Sequence, residues 1–305
     1  MRYVVTGAAG FIGSHLLRAL LERGHEATGY DAFTDYYDPA LKEENAAGLP
    51  IGRVDLVDGD IDLEGVDGVF HLAGQPGVRS FGSVFPTYVR QNVLASQRIF
   101  EAAVAAGART VLASSSSIYG DAASYPTPEE TTPRPLSPYG ITKLACEHLA
   151  HAYGVEFGLD AVTLRYFTIY GPRQRPDMAL ARMVACVAEG RPFELFGDGS
   201  QSRSFTYVDD AVEATIAAME GGSAGRTYNV GGGEEVSVLQ ALEALAAVAG
   251  RRLEVVRSPR REGDAARTAA DTSRIAVDLG WKPGTPFVRG LEAQWRWAAD
   301  RVAAR

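Results

Sequence analysis

Apolar and polar positions repeat along this chain with two different periods, and the switching between them predicts its elements. "RYVVTG", residues 2–7, is a short apolar run closed by glycine, the pattern of a buried strand. "FIGSHLLRALLERGH" places Phe11, Leu16, Leu17, Leu20 and Leu21 at helical spacing, with Gly24 as the stop. "EATGYD", "GVDGVFHLAG", "RTVLASSSS" and "DAVTLRYF" read as further strands. The helical stretches "YVRQNVLASQRIFEAAVAAG" and "GITKLACEHLAHAYGVEFG" lie between them. Strands alternating with helices predict an α/β fold built on a parallel, doubly wound sheet. After about residue 170 the pattern loosens into a helix at "ALARMVACVAEG", short strands at "PFELFGDGSQSRSFTYV" and a helix at "VSVLQALEALAAVAG". We therefore divide the chain into 1–170 and a smaller α/β region, 171–305, some segments of which could return to the first.

The turn after the first strand carries the first chemistry. "TGAAGFIG" spaces Gly7, Gly10 and Gly13 between a strand and a helix. Such glycines permit a tight turn, close approach of backbone to a pyrophosphate, and close helix–strand packing. The helix N-terminus then offers free N–H groups and a positive dipole end to phosphate. Asp31 closes the second strand, where a carboxylate would bind a ribose hydroxyl and repel a 2′-phosphate. Strand, turn, helix and acid in this order predict a Rossmann-type site for NAD rather than a merely structural glycine turn.

Composition narrows the partners. The formal net charge is −8 over 305 residues, so no global field draws nucleic acid or anionic lipid, and any bound anion needs local arginines or backbone amides. Cys146 and Cys186 sit in helical apolar stretches and are expected to be buried thiols rather than a disulfide. The chain opens directly into the first strand and holds no long apolar run, which suggests a cytoplasmic enzyme and no membrane partner. His, Cys, Asp and Glu do not cluster as metal ligands, and no histidine is placed to activate a serine.

In "SPYGITK", Tyr139 stands four residues before Lys143, which puts both on one face of a helix. A nearby ammonium favours a phenolate, so the pair could shuttle a hydroxyl proton, or be a solvated helix pair. The serines of "ASSSSIYG" end an apolar strand, where they could bond a substrate oxygen or form a small polar turn.

Together these pieces resemble the extended short-chain dehydrogenase/reductases, in the nucleotide-sugar epimerase and dehydratase branch. The matching motifs are "TGAAGFIG", Asp31, "GDI" at 59–61, "HLAG" at 71–74, Asn92, "SSSSIYG", "YGITK", "RYFTIYGP", "RSFTYVDD" and "RREGD", spread from residue 6 to residue 264. The resemblance implies catalytic roles for Ser115, Tyr139 and Lys143. It implies cofactor contacts from Gly7, Gly10, Phe11, Ile12, Gly13 and Asp31, and from Asp60 and Ile61 at the adenine. Leu72, Ala73, Asn92, Ser114, Tyr139, Lys143 and Tyr166 complete the set. Arg203 and Arg261 would grip a UDP diphosphate, and Asp264 would face the uridine ribose. It further implies a homodimer through the two long helices, whose alternative is packing on their own sheet.

Where dehydratases of the branch have an acidic pair, this chain has Ser116 and Ser117, which disfavours elimination of water. "RYFTIYGPRQRPDM" resembles UDP-glucuronate 4-epimerases, in which Thr168 and Arg175 would hold the sugar carboxylate, aided by Ser115 and Ser116. A 4-keto uronate is a β-keto acid that loses carbon dioxide easily, a chemical reason to clamp that group. The expected reaction is therefore NAD-dependent 4-epimerisation of UDP-glucuronate. A UDP-glucose/UDP-galactose epimerase is the main alternative, ahead of a dehydratase or a non-catalytic dinucleotide-binding regulator.

Overall fold

The structure is a computed structural model and describes residues 1–78, 81–259 and 266–303. Its strands are β1 Arg2–Thr6, β2 Glu26–Asp31, β3 Ile51–Arg53, β4 Gly68–His71, β5 Arg109–Ser115, β6 Ala161–Tyr166, β7 Thr168–Tyr170, β8 Phe193–Phe196, β9 Ser202–Tyr207, β10 Thr227–Val230, β11 Glu235–Ser237, β12 Val255–Ser258 and β13 Arg267–Thr268. Its helices are α1 Phe11–Glu22, α2 Pro39–Ala46, α3 Phe85–Tyr88, α4 Ala95–Ala106, α5 Pro138–Phe157, α6 Ala179–Glu189, α7 Val208–Gly221, α8 Val238–Ala249, α9 Ser273–Leu279 and α10 Phe287–Ala303.

Seven parallel strands form the main sheet in the order β10-β6-β5-β4-β1-β2-β3. The strand order reverses between β1 and β4, so the crevice at their carboxyl ends is where a doubly wound sheet binds its ligand. One face is covered by α1 and α7, whose Leu16, Leu17, Leu20, Val212 and Ile216 pack on Val5, Val111 and Leu164. The other face buries Val69 and Leu112 against Ile99 and Phe100 of α4 and Cys146 of α5. A separate apolar cluster joins α6, α8 and α10 through Met183, Leu245 and Leu291. Cys146 and Cys186 are both buried and free.

Local sequence explains the two helices that frame the crevice. Ser137 caps α5 by accepting from the Gly140 N–H, Pro138 occupies the first turn, and left-handed Gly158 ends it. Gly10 begins α1 with no side-chain cap and no acidic residue in the first turn, leaving that end free for an anion.

The division near residue 170 is not a clean cut. β10 pairs with β6 in the main sheet, and α7 packs on α1, so the chain returns to the first half after leaving it. β3 and β10 were absent from the sequence reading. The stretch read as one helix over 88–107 is instead α3, a π-helical turn at Val89–Leu94, and α4.

Candidate active site

A cleft of about 670 Å³ runs along the carboxyl ends of the main sheet. The glycine turn, Asp31 and Lys42 line it on one side, Ser114–Ser117, Tyr139 and Lys143 line it centrally, and residues of β7, α6 and β9 complete it.

The turn is packed so closely that side chains would not fit. A Cβ on Gly13 would lie 2.2 Å from the Gly7 carbonyl oxygen, and one on Gly7 would lie 2.8 Å from the Ala73 nitrogen. Gly7 also has φ +70°, a left-handed conformation that favours glycine. Asp31 is held beside it. Its Oδ2 accepts from the Ala9 N–H at 3.1 Å, and its Oδ1 accepts from Phe33 N–H at 2.7 Å and Lys42 Nζ at 3.2 Å. Lys42 was missed by the sequence reading because α2, "PALKEENA", has no apolar stripe to place it.

Tyr139 and Lys143 both face the cleft from α5. The Lys143 ammonium is buried and donates to the Ala113 carbonyl at 2.8 Å, which fixes it under the end of β5. Its charge reaches His71, whose pKa burial in the first place and Lys143 in the second push down to about 3. Ser115 accepts from the Ser117 N–H at 3.1 Å and its hydroxyl donates to Ser117 Oγ at 3.1 Å, so it caps the short turn that follows.

Ser114, Phe11, Ile12, Leu72, Ala73 and Tyr166 also line the cleft. The Ser114 hydroxyl, however, donates to Glu147 of α5, which also accepts from Arg165 Nη2 at 2.7 Å. Arg165 Nη1 in turn donates to the Tyr119 hydroxyl at 2.8 Å, and Tyr119 donates to Asn229 Oδ1 at 2.8 Å. Burial alone would lower the Arg165 pKa, but the bonds and charge of Glu147 hold it above its ordinary value. This buried polar chain lies directly behind the serine segment. The Tyr166 hydroxyl is bonded to Thr215 at 2.6 Å, and burial raises its pKa.

Three of the residues expected at the cofactor are not among those that line the cleft. Asp60 and Ile61 lie outside the cleft lining: the Asp60 carboxylate is fully exposed and meets Arg98 at 3.2 Å, while Ile61 packs on the α4–α5 face. Val54 and Leu56 line the cleft beside Asp31 instead. Asn92 is buried in the π-helical turn and does not line the cleft. Its Oδ1 accepts from the Gln75 N–H at 2.7 Å and its Nδ2 donates to Thr142 at 2.9 Å, so it fixes the loop that follows β4. Arg261 and Asp264 fall outside the described residues.

Thr168, Arg175, Arg203 and Ser116 also line the cleft. Arg203 Nη1 donates to the Ser202 carbonyl at 2.7 Å. Arg175 makes a forked pair with Asp177, Nε to Oδ1 at 3.0 Å and Nη2 to Oδ2 at 3.2 Å. Burial would lower the Arg175 pKa, but the Asp177 charge and hydrogen bond raise it, and Tyr139 is among the groups whose charge acts on it. Sequence reasoning missed Arg182, Tyr36 and Asp177, all of which line the cleft. For Asp177 a signal existed, an opposite charge two residues after Arg175. Among the described residues no cluster of His, Cys, Asp and Glu could hold a metal, and no helix is long and apolar enough to cross a membrane.

Known proteins resemble the chain along nearly its whole length. It is 42% identical over 303 residues to a Bacillus subtilis protein named as an uncharacterized UDP-glucose epimerase, YtcB, covering 95% of this chain and 96% of that one. It is 36% identical to UDP-glucuronate 4-epimerase 3 of Arabidopsis thaliana, over 96% of this chain and 75% of the relative. The crystal structure of UDP-glucuronic acid 4-epimerase from Bacillus cereus, in complex with UDP-glucuronic acid and NAD, superposes with a TM-score of 0.92 at 38% identity, covering 99% of this chain and 100% of that one. The model of the epimerase family, described as the NAD dependent epimerase/dehydratase family, matches residues 3–231, and the chain belongs to that family.

Proposed function

We propose that this protein interconverts UDP-glucuronate and UDP-galacturonate by NAD-dependent epimerisation at carbon 4. The observation that carries the reading is that Arg175 and Thr168 line the same cleft as Tyr139. In a uronate the carboxylate hangs from carbon 5, next to the reacting carbon. A cation in the same cleft as the proton-transfer group therefore suits this substrate.

The residues present fit NAD: an uncapped helix end for the pyrophosphate, glycines whose space a Cβ would fill, and the Asp31 carboxylate for a ribose. Bound there, NAD supplies a hydride acceptor and donor for carbon 4. Tyr139 accepts the proton of the 4-hydroxyl as the hydride leaves carbon 4, giving a 4-keto sugar. Lys143, one helical turn along α5 on the same face and buried, would bond the ribose beside the reacting ring and hold its charge near Tyr139. When the sugar presents its other face the hydride returns, and Tyr139 gives the proton back. Arg203 would hold the diphosphate, remote from the reacting carbon.

The keto intermediate carries a hazard. If its C5–C6 bond breaks, carbon dioxide leaves and the electron pair becomes an enolate of the C4 carbonyl, which then takes up a proton. Holding the C5–C6 bond near the plane of that carbonyl keeps it out of line with the π system and resists the loss.

Exposed apolar side chains on adjacent helices, Phe85 and Val89 with Ile141, Val155 and Phe157 of α5, support a homodimer. Free, buried cysteines fit a reducing compartment and so a cytoplasmic enzyme. UDP-glucose/UDP-galactose epimerisation is the second reading, favoured by the name of the Bacillus subtilis relative and by Arg175 already having a carboxylate partner. Purified protein, with no NAD added, is incubated with each UDP-sugar and followed by proton NMR. UDP-galacturonate from UDP-glucuronate, lost in Arg175→Ala, is the expected result. UDP-galactose from UDP-glucose alone, or an Arg175→Ala enzyme that still converts the uronate normally, overturns the reading.

A further inference from the structure

Arg175 gives Asp177 only one edge of its guanidinium. Nε and Nη2 meet the two carboxylate oxygens at 3.0 and 3.2 Å, which uses the side-on fork. Among the described residues Nη1 bonds no protein atom, so the end-on fork, Nη1 with the second Nη2 hydrogen, remains available in the cleft. A planar guanidinium can bridge two carboxylates in this way, one on each edge. Asp177 is itself tethered by Tyr36, whose hydroxyl donates to its Oδ2 at 3.3 Å. Burial first, and then the Asp177 charge, raise the Tyr36 pKa to about 12, so at neutral pH this phenol is a neutral donor. The contact joins the segment after β2 to the segment after β7 across 141 residues of chain.

We propose that Asp177, anchored by Tyr36, is a positioning residue that sets the substrate preference: it occupies the side-on edge of Arg175 and thereby fixes the end-on edge for a sugar carboxylate. The inference rests on the uronate reading above. An unpaired arginine with its long flexible stem would have to be ordered by the substrate, whereas the tethered pair is already ordered. The opposite role is chemically possible, because Asp177 carries the same charge as the uronate and could compete with it. The two roles predict opposite signs.

The test uses the enzyme as purified, with Asp177→Asn, Asp177→Ala and Tyr36→Phe variants. It reads KM and kcat for UDP-glucuronate, the affinity for UDP-glucose, and the fraction of uronate lost as carbon dioxide. Losing an oriented charged hydrogen bond should raise KM for UDP-glucuronate about 10- to 100-fold in the Asp177 variants. That loss should exceed any loss for UDP-glucose by at least about tenfold. The carbon dioxide fraction should rise, since a loosely held carboxylate leaves the carbonyl plane, and Tyr36→Phe should move both readouts the same way by less. A general packing defect would weaken both sugars alike and overturn the proposal. So would unchanged or tighter uronate binding in Asp177→Asn. Arg175→Ala run in parallel separates the two ideas. If it loses uronate preference while Asp177→Asn keeps it, positioning by Asp177 fails and the uronate site stands. If Arg175→Ala keeps it too, both fail.

Discussion

Arg165→Met tests the buried polar chain behind the serine segment that ends β5. Arg165 and Glu147 each have side chains only 9% exposed. The substitution leaves the Glu147 carboxylate buried with Ser114 as its remaining hydrogen-bond partner. Removing one member of such a pair costs about 3–5 kcal/mol, because the other charge stays behind without compensation. Unfolding entropy scales with length, and for 305 residues it is about 0.6 kcal/mol per kelvin. The expected fall in Tm is then about 5–8 K by scanning calorimetry. Glu147→Leu should cost a similar amount, since it strands the guanidinium. The Glu147→Leu/Arg165→Met protein should recover much of the loss, giving a coupling of about 2 kcal/mol or more. Single effects that simply add, to within about 0.5 kcal/mol, would refute the claim that these residues act as one buried unit.

Two further outcomes follow from the geometry. Gly13→Ala forces a Cβ against the Gly7 carbonyl, and backbone there cannot yield cheaply, so the protein should purify with little or no retained NAD; cofactor content by absorbance after acid release checks this. His71 is neutral when folded because its pKa is depressed to about 3, while the unfolded chain protonates near ~6.5. Below that pH the unfolded state takes up a proton the native state refuses, so stability should fall by up to about 1.4 kcal/mol per pH unit from this group. A His71→Gln protein with the same acid slope would contradict the assignment.

What the sequence made legible was local. A strand, a glycine turn and a helix in succession are encoded within 21 residues, Arg2 to Glu22, and Tyr139 with Lys143 within one helical turn. Both depend on nearby spacing, which a single chain displays directly. Contacts made across the fold were not legible. Asn92 reads as a helix residue, and only the π-helical turn shows that it clamps the loop at Gln75. Ser114 reads as a cleft hydroxyl, and only the packing of α5 on β5 shows that it serves Glu147. Asp60 follows a motif by position, yet its side chain turns to solvent and Arg98. β3, three residues long, and β10, four residues deep in the second half, are too short for periodicity to mark.

The return of β10 to the edge of the main sheet sets when this protein can finish folding. β6 carries Arg165 and Tyr166, and its outer row of N–H and C=O groups is covered only when Thr227–Val230 arrives. A nascent chain that has already released the glycine turn, the serines, Tyr139 and Lys143 still presents an open strand edge until residue 230 has been made. During synthesis the enzyme therefore passes through a stage in which Tyr139 and Lys143 have been made but β6 is still an unpaired edge strand, the stage in which that strand is most exposed to wrong pairing with another chain.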